Sequence, residues 1–344
     1  MLRQRHPSPK KIVFVKTHKT ASTTIQSILC RHALYNSLRV AVPKNGRNFF
    51  SYLEKPFLAS QTRTNDPDVI LFHMNFLKDE ELIPKTKKSI YITILRDIPE
   101  SFESRVVYYK FKDRKNILPE ETDPKKLVSK VMNSYDSILS KIIGNGTYMQ
   151  QLRIILGNWY FSQFYQKSKD PYKALSVSSE DIKQTINFMD ETFNLVMITE
   201  LFDESLILLK DLMGISTEQI TYISLYERFR QQSYDNSFEQ STESEIRRRL
   251  HADNAIYQHF KHVFEQKIQE FGSERMQAEL EELKEKQAEL HTECVEKEII
   301  ARQSNEHIFV PRKVAMMAWK IKKGAPGFCK YYIYSEKQWL NKFK

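Results

Sequence analysis

Lys11 to Val15 (KIVFV) is a short run of β-branched and aromatic residues that breaks at Lys16 into a loop of basic and hydroxyl residues. A run of this kind reads as a strand buried on both faces. Directly after the loop, Ile25, Ile28, Leu29 and His32 recur at i, i+3, i+4 and i+7, and Ser22 or Thr23 is placed to cap the first turn of a helix. A strand buried on both faces needs helices above and below it, so the opening strand, loop and helix point to the α/β class. Further strand candidates at Arg39–Val42, Val69–Phe72, Ile90–Leu95 and Leu195–Thr199 alternate with helical patterns. The expected architecture is a central parallel sheet flanked by helices. Asp97, Pro99 and Glu100 form a helix start after the fourth candidate strand. Helical patterns dominate Asp123 to Phe193, with a chain turn near Gly144-Asn145-Gly146. They return from Leu201 to Met213, with Gly214 as the stop, and from Ser244 to Phe271, so the C-terminal part is largely helical.

The length of 344 residues suits one or two domains, and 41% hydrophobic with 12% aromatic residues supply a sizeable core and exclude a disordered chain. A net charge of +10 points first to nucleic acid, yet it is unevenly distributed. Residues 1–11 carry +4 and residues 312–344 carry +8, which leaves the body between them at −2. With no nucleic-acid module and no basic stripe in that body, nucleic acid is not an expected partner. The longest uncharged stretch, Ile154 to Gln166, contains Asn, Ser and Gln and falls short of the ~18–20 apolar residues of a membrane span. Residues 1–10 form a basic tail without the apolar stretch of a secretory signal.

The expected folded domain covers 11–272, followed by a charged amphipathic helix at 273–303 and a basic, aromatic segment at 304–344. In the helix, Met276, Leu280, Leu283, Gln287, Leu290 and Cys294 fall at alternating spacings of four and three. Such a seam either packs on its own domain or joins a second copy in a homodimer. The last segment interleaves its cations with Trp319, Phe328, Tyr331, Tyr332, Tyr334 and Trp339, and either docks on the domain or lies against an anionic membrane surface. The three cysteines, Cys30, Cys294 and Cys329, allow at most one bridge and no four-cysteine zinc site.

Lys16-Thr17-His18-Lys19-Thr20-Ala21-Ser22-Thr23-Thr24 fills the turn between the first strand and its helix. Free backbone N–H groups and the positive end of the helix dipole make such a turn an anion site. The nucleotide-kinase loop needs GxxxxGK[ST] and the dinucleotide fingerprint needs GxGxxG, and neither is present here. Arg96 ends a central strand and Ser104 follows in the next helix. A guanidinium with a helical hydroxyl holds a phosphate monoester through charge-assisted hydrogen bonds.

Together, KTHKTASTT and LRDIPESFESRVVYY resemble the two motifs with which sulfotransferases bind 3′-phosphoadenosine 5′-phosphosulfate (PAPS). More narrowly, IVFVKTHKTASTT, PKNGRNFF at 43–50, FHMNF at 72–76, ELFDESLILLKDLM at 200–213 and DNAIYQHFKHVFEQKIQEFGSERM at 253–276 resemble, in that order, the galactose-3-O-sulfotransferases. The resemblance implies a P-loop-like PAPS sulfotransferase fold, PAPS as donor and no metal. The implied acceptor is the 3-hydroxyl of a terminal β-galactose, on a glycolipid such as galactosylceramide or on glycoprotein glycans. A non-catalytic glycan-binding protein on the same fold is the reading from another class. The resemblance further implies a Golgi membrane protein with a luminal catalytic domain, held by a family-type anchor that these residues do not show. It also implies a disulfide between Cys294 and Cys329, with Cys30 left as a buried thiol. Asn145, in the sole N-x-[ST] triplet, is the candidate glycosylation site.

Sulfuryl transfer moves SO3 in line between two oxygens, so a site must neutralise the leaving phosphate and take a proton from the sugar hydroxyl. Lys16 is expected at the leaving phosphate, with Thr17, Lys19, Thr20, Ala21, Ser22, Thr23 and Thr24 around the phosphosulfate and Arg96 with Ser104 on the 3′-phosphate. His18, matching the family's KTHKT histidine, is the expected general base, since imidazole titrates near the working pH. His73 is the second choice, as base or for binding galactose. Asn45, Arg47 and Asn48 are expected to hydrogen-bond sugar hydroxyls, and Tyr108, Tyr109 or Trp159 to stack on the galactose face.

Overall fold

The computed structural model describes residues 11–46, 50, 62–74, 89–110, 120–121, 123–133, 178–225, 227, 238–301 and 316–344. Four parallel strands, β1 (Lys11–Val15), β2 (Val69–Ile70), β3 (Ser89–Leu95) and β4 (Leu195–Ile198), form the central sheet in the order β2-β1-β3-β4. Ile12 lies opposite both Val69 and Ile90, Phe14 opposite Ile92, and Leu95 opposite Ile198. The inner position of β1 explains its unbroken apolar run: Phe14 and Val15 are 0% exposed. Each such side chain contributes roughly 1.5–3 kcal/mol through burial.

Arg39–Val42 does not form the expected strand. Its single ladder contact is a parallel bridge from Val40 to Val69, because β2 is only two residues long and offers no further edge. Side chains hold the segment instead: Arg39 Nε donates to Asp68 at 3.0 Å, and Thr64 Oγ1 donates to the Val40 carbonyl at 2.7 Å. The expected strand Val69–Phe72 shortens to Val69–Ile70 as the chain bends towards His73.

Helix α1 (Ser22–Tyr35) buries the periodic Ile25, Ile28, Leu29 and His32, and Gln26, Ser27 and Arg31 are buried as well. The C-terminal segment covers part of its outer side and meets Ser27 and Arg31. Ser27 Oγ donates to the Tyr331 carbonyl at 3.4 Å, and the Arg31 guanidinium lies 3.7 Å over the Tyr332 ring. Neither Ser22 nor Thr23 caps the helix; the cap is Ala21 in the left-handed region, φ 57°, while Ser22 Oγ turns back to the Thr17 carbonyl at 2.6 Å.

Helices α2 (Ile98–Lys110), α3 (Pro124–Asn133), α4 (Ser179–Thr192), α5 (Phe202–Met213) and α6 (Thr217–Ile220) surround the sheet. Gly214 ends α5 at φ 65°, a conformation that favours glycine. The single helix expected over Ser244–Phe271 is two, α7 (Gln240–Arg249) and α8 (His251–Phe271), broken at Leu250. Arg247 spans the break, with Nη1 2.8 Å from both Asn254 Oδ1 and Asp97 Oδ1.

The charged helix α9 runs only from Ser273 to Cys294, and the chain continues as β5 (Val295–Ala301), antiparallel to β6 (Met316–Ile321). The β-branched residues of VEKEIIA favour that strand. Met276, Leu283, Leu290 and Cys294 are buried, and α9 packs on α5, α6 and α8. The buried positions of the apolar seam therefore serve this chain's own core. Cys294 and Cys329 are joined in a disulfide with Cα atoms 5.4 Å apart, and Cys30 is a buried free thiol.

Of the two readings of the C-terminal segment, the structure shows docking on the domain. Helix α10 (Glu336–Lys342) buries Trp339 to 1% exposure, stacked on Tyr331 at 5.7 Å and Phe343 at 5.8 Å. Trp319 Nε1 donates to the Ser224 carbonyl at 2.9 Å, and Phe328, Tyr332 and Tyr334 pack into the apolar clusters. Among the described residues, no helix is long and apolar enough to cross a membrane.

Candidate active site

The carboxyl ends of all four strands converge, at the edge where open parallel sheets hold ligands. They supply the 16–20 loop after β1, His73 after β2, Arg96 and Asp97 after β3, and Thr199 and Glu200 after β4. Without glycine, the loop places Lys19 at φ 64° and Ala21 at φ 57°. Left-handed geometry costs an L-residue about 1–2 kcal/mol, so the surroundings must hold it. Thr17 Oγ1 donates to the Ile94 carbonyl at 2.5 Å and lies 2.8 Å from Thr20 Oγ1. Thr199 Oγ1 reaches the Thr20 carbonyl at 3.2 Å, and Arg96 Nη1 reaches that of Lys19 at 3.3 Å.

The hydroxyls of Thr17, Thr20 and Ser22, expected against the donor, hydrogen-bond within the loop and to the Ile94 carbonyl. What the loop offers instead is backbone. The N–H groups of Thr20, Ala21, Ser22 and Thr23 find no acceptor among the described residues, at the positive end of α1. Thr24 is buried, and its N–H closes onto the Ala21 carbonyl at 2.9 Å.

Lys16 is 1% exposed. Its Nζ donates to Gln26 Oε1 at 2.5 Å and to Glu336 Oε1. That same carboxylate oxygen accepts from Thr23 Oγ1 at 3.3 Å and lies 3.7 Å from His73 Nε2. An anion, supplied by the far end of the chain, therefore already sits at the loop lysine. Gln26, Thr199 and Glu336 escaped sequence reasoning; the one available signal was that Glu336 is the sole acidic residue in 312–344.

His18 and His73 stand with ring centroids 4.5 Å apart. Burial, and then the Lys16 cation, push His73 down to about 4, against the opposing pull of Glu336 and a backbone hydrogen bond with Lys16. His18 is also held well below the usual imidazole value, by desolvation first and then by His73, Arg105 and Lys16, with Glu336 opposing. Both rings are neutral near pH 7 and able to accept a proton.

Arg96 also pairs with Glu100, Nη2 to Oε2 at 3.3 Å. Ser104 lies half-buried on α2, its hydroxyl unpartnered among the described residues. Behind Arg96, Arg247 grips the Asp97 carboxylate with two bonds of 2.8 Å, and Asp97 N donates to Glu200 Oε1 at 3.0 Å. Tyr108 carries the Lys19 ammonium 4.5 Å from its ring centroid, which puts it against the loop. Asn45 is exposed in the turn after Pro43. Arg47, Asn48, Asn145 and Trp159 lie outside the described residues, as does the side chain of Tyr109.

The fold and site define an open parallel α/β protein whose carboxyl edge brings together a turn of backbone N–H groups, a buried lysine paired with Glu336 and two neighbouring histidines. A family model described as galactose-3-O-sulfotransferase matches residues 2–342, and the chain belongs to that family. It is 32% identical over 305 residues to the galactosylceramide sulfotransferase of Homo sapiens and 31% identical over 303 residues to that of Bos taurus. Each match covers 83% of this chain and 64% of the relative, so the chain spans just under two thirds of their length. It is also 27% identical over 355 residues to galactose-3-O-sulfotransferase 3 of Homo sapiens, covering 95% of this chain and 75% of the relative.

Proposed function

We propose that this protein transfers the sulfuryl group of PAPS to the 3-hydroxyl of a terminal β-galactose, with a glycolipid such as galactosylceramide as acceptor. The observation that carries the reading is the cradle of N–H groups at Thr20 to Thr23, without an acceptor among the described residues, beside the buried Lys16, with a carboxylate already drawn to that cation. The donor set fits a phosphosulfate: backbone N–H groups, an ammonium and a helix dipole. The galactose hydroxyl attacks sulfur as the bond from sulfur to the 5′-phosphate oxygen breaks. Lys16 neutralises the charge that collects on the leaving phosphate. His18 takes the hydroxyl proton, with His73 as the alternative, and both are neutral as a base requires. Arg96 and Ser104 clamp the 3′-phosphate, which ties donor choice to the loop through the Arg96 bond to Lys19.

The glycolipid acceptor is supported by the names of the 32% and 31% identical relatives, and glycoprotein galactose by the longer match to galactose-3-O-sulfotransferase 3. We place the protein in the Golgi lumen, where the Cys294–Cys329 bond is stable. Incubation with 35S-labelled PAPS and galactosylceramide, lactosylceramide or a β-galactose-terminated glycan tests the reading. Label at the galactose 3-position is expected, strongest on galactosylceramide. Glycan binding without transfer to any acceptor would reject it in favour of a non-catalytic lectin-like role.

A further inference from the structure

Glu336 arrives at the donor loop from the opposite end of the chain, and the segment that delivers it is built into the fold. Ser335 caps α10 by accepting from Gln338 N at 3.3 Å, Trp339 and Leu340 are buried one turn on, and Cys329 is bonded to Cys294 just upstream. The carboxylate is itself mostly enclosed, at 18% side-chain exposure against 1% for Lys16. Its Oε1 touches three different parts of the site: the loop lysine, Thr23 in the first turn of α1, and His73 on the histidine side. Burying an ammonium strips it of water, and a paired carboxylate offsets that cost.

We propose that Glu336 is a positioning residue of the donor site, the resident counter-ion that holds Lys16 in the loop and yields it to the donor's phosphate when the donor binds. The proposal rests on the reading of the loop as a PAPS site. Two anions cannot share Lys16 and Thr23 without like-charge repulsion. Donor binding must therefore break the Lys16–Glu336 pair, and the pair lowers donor affinity. The displaced carboxylate remains beside His73, so donor arrival shifts negative charge from the lysine towards the histidine.

Calorimetric titration of the whole chain with adenosine 3′,5′-bisphosphate, the nucleotide left after transfer, tests this. Glu336→Gln keeps the shape and removes the charge, and is expected to tighten binding by roughly tenfold, with the gap to wild type shrinking as salt rises. Glu336→Asp, whose carboxylate retracts by one methylene, is expected to show a smaller gain in the same direction and serves if the Gln variant does not fold. A purely structural Glu336 cannot yield a gain in affinity. Unchanged or weaker binding in a folded variant, with wild-type binding intact, overturns the proposal; absence of binding by wild type overturns the donor reading instead.

Discussion

Removing the disulfide in the double variant Cys294→Ser, Cys329→Ser opens a loop of sequence separation 35 that joins α9 to the C-terminal segment. Loop-closure entropy for a ring of that size corresponds to about 4 kcal/mol at 25 °C, if the cross-link acts on the unfolded chain alone. The native state should lose little beyond this, because Trp339 at 1% and Leu340 at 2% exposure anchor α10 in the main core without the bridge. Both cysteines are fully buried among Ile223, Leu290 and Ile333, so two serines in that cluster add a further cost of order 1 kcal/mol each from poorly satisfied hydroxyls. Urea unfolding of oxidised wild type, reduced wild type and the double variant separates the two contributions. Reduced wild type is expected to lose close to the entropic amount, and the double variant more. A reduced wild type within about 1 kcal/mol of the oxidised protein would refute the view that the bridge constrains the unfolded chain.

Arg96→Ala should weaken adenosine 3′,5′-bisphosphate binding by more than about tenfold while leaving adenosine 5′-phosphosulfate nearly untouched; equal losses in calorimetry would remove the 3′-phosphate role. His18→Ala should abolish turnover in the labelled-PAPS assay, and a variant within about threefold of wild type, beside an inactive His73→Ala, would transfer the base role to His73. His73, held at about 4 in the folded protein against an ordinary 6.5, contributes a pH dependence of known sign. The unfolded chain takes up its proton first, so this contribution is complete above about pH 6.5 and declines as pH falls to about 4, and His73→Gln should flatten that part of the urea-midpoint profile. Ala21→Gly trades relief of a φ of 57° against greater freedom of the unfolded chain, and thermal unfolding should place it within about 1 kcal/mol of wild type.

Features set by neighbouring residues were legible in the amino-acid order. The apolar KIVFV run, the helix start at Asp97 and the Gly214 stop each depend on propensities and turn geometry acting over a few positions, and each stands in the fold. The breaks in legibility are equally physical. Arg39–Val42 has strand composition, but a strand exists only where a partner edge extends beside it, and β2 ends too soon. The α9 seam has coiled-coil spacing, but spacing does not record whether the facing surface belongs to the same chain. The loop hydroxyls are the kind that bind phosphate, yet two left-handed residues have to be held, and Thr17, Thr20 and Ser22 do the holding.

By itself, then, the sequence determined the α/β order and the turn between β1 and α1 with its lysine and histidine, because these follow from local backbone chemistry and short spacings. Only the tertiary structure decided that Glu336 meets Lys16, that Thr199 braces the loop, and that Arg247 clamps Asp97 across a helix break. Those pairings join residues more than a hundred positions apart, and nothing but the packing of the intervening chain brings a charge to its partner.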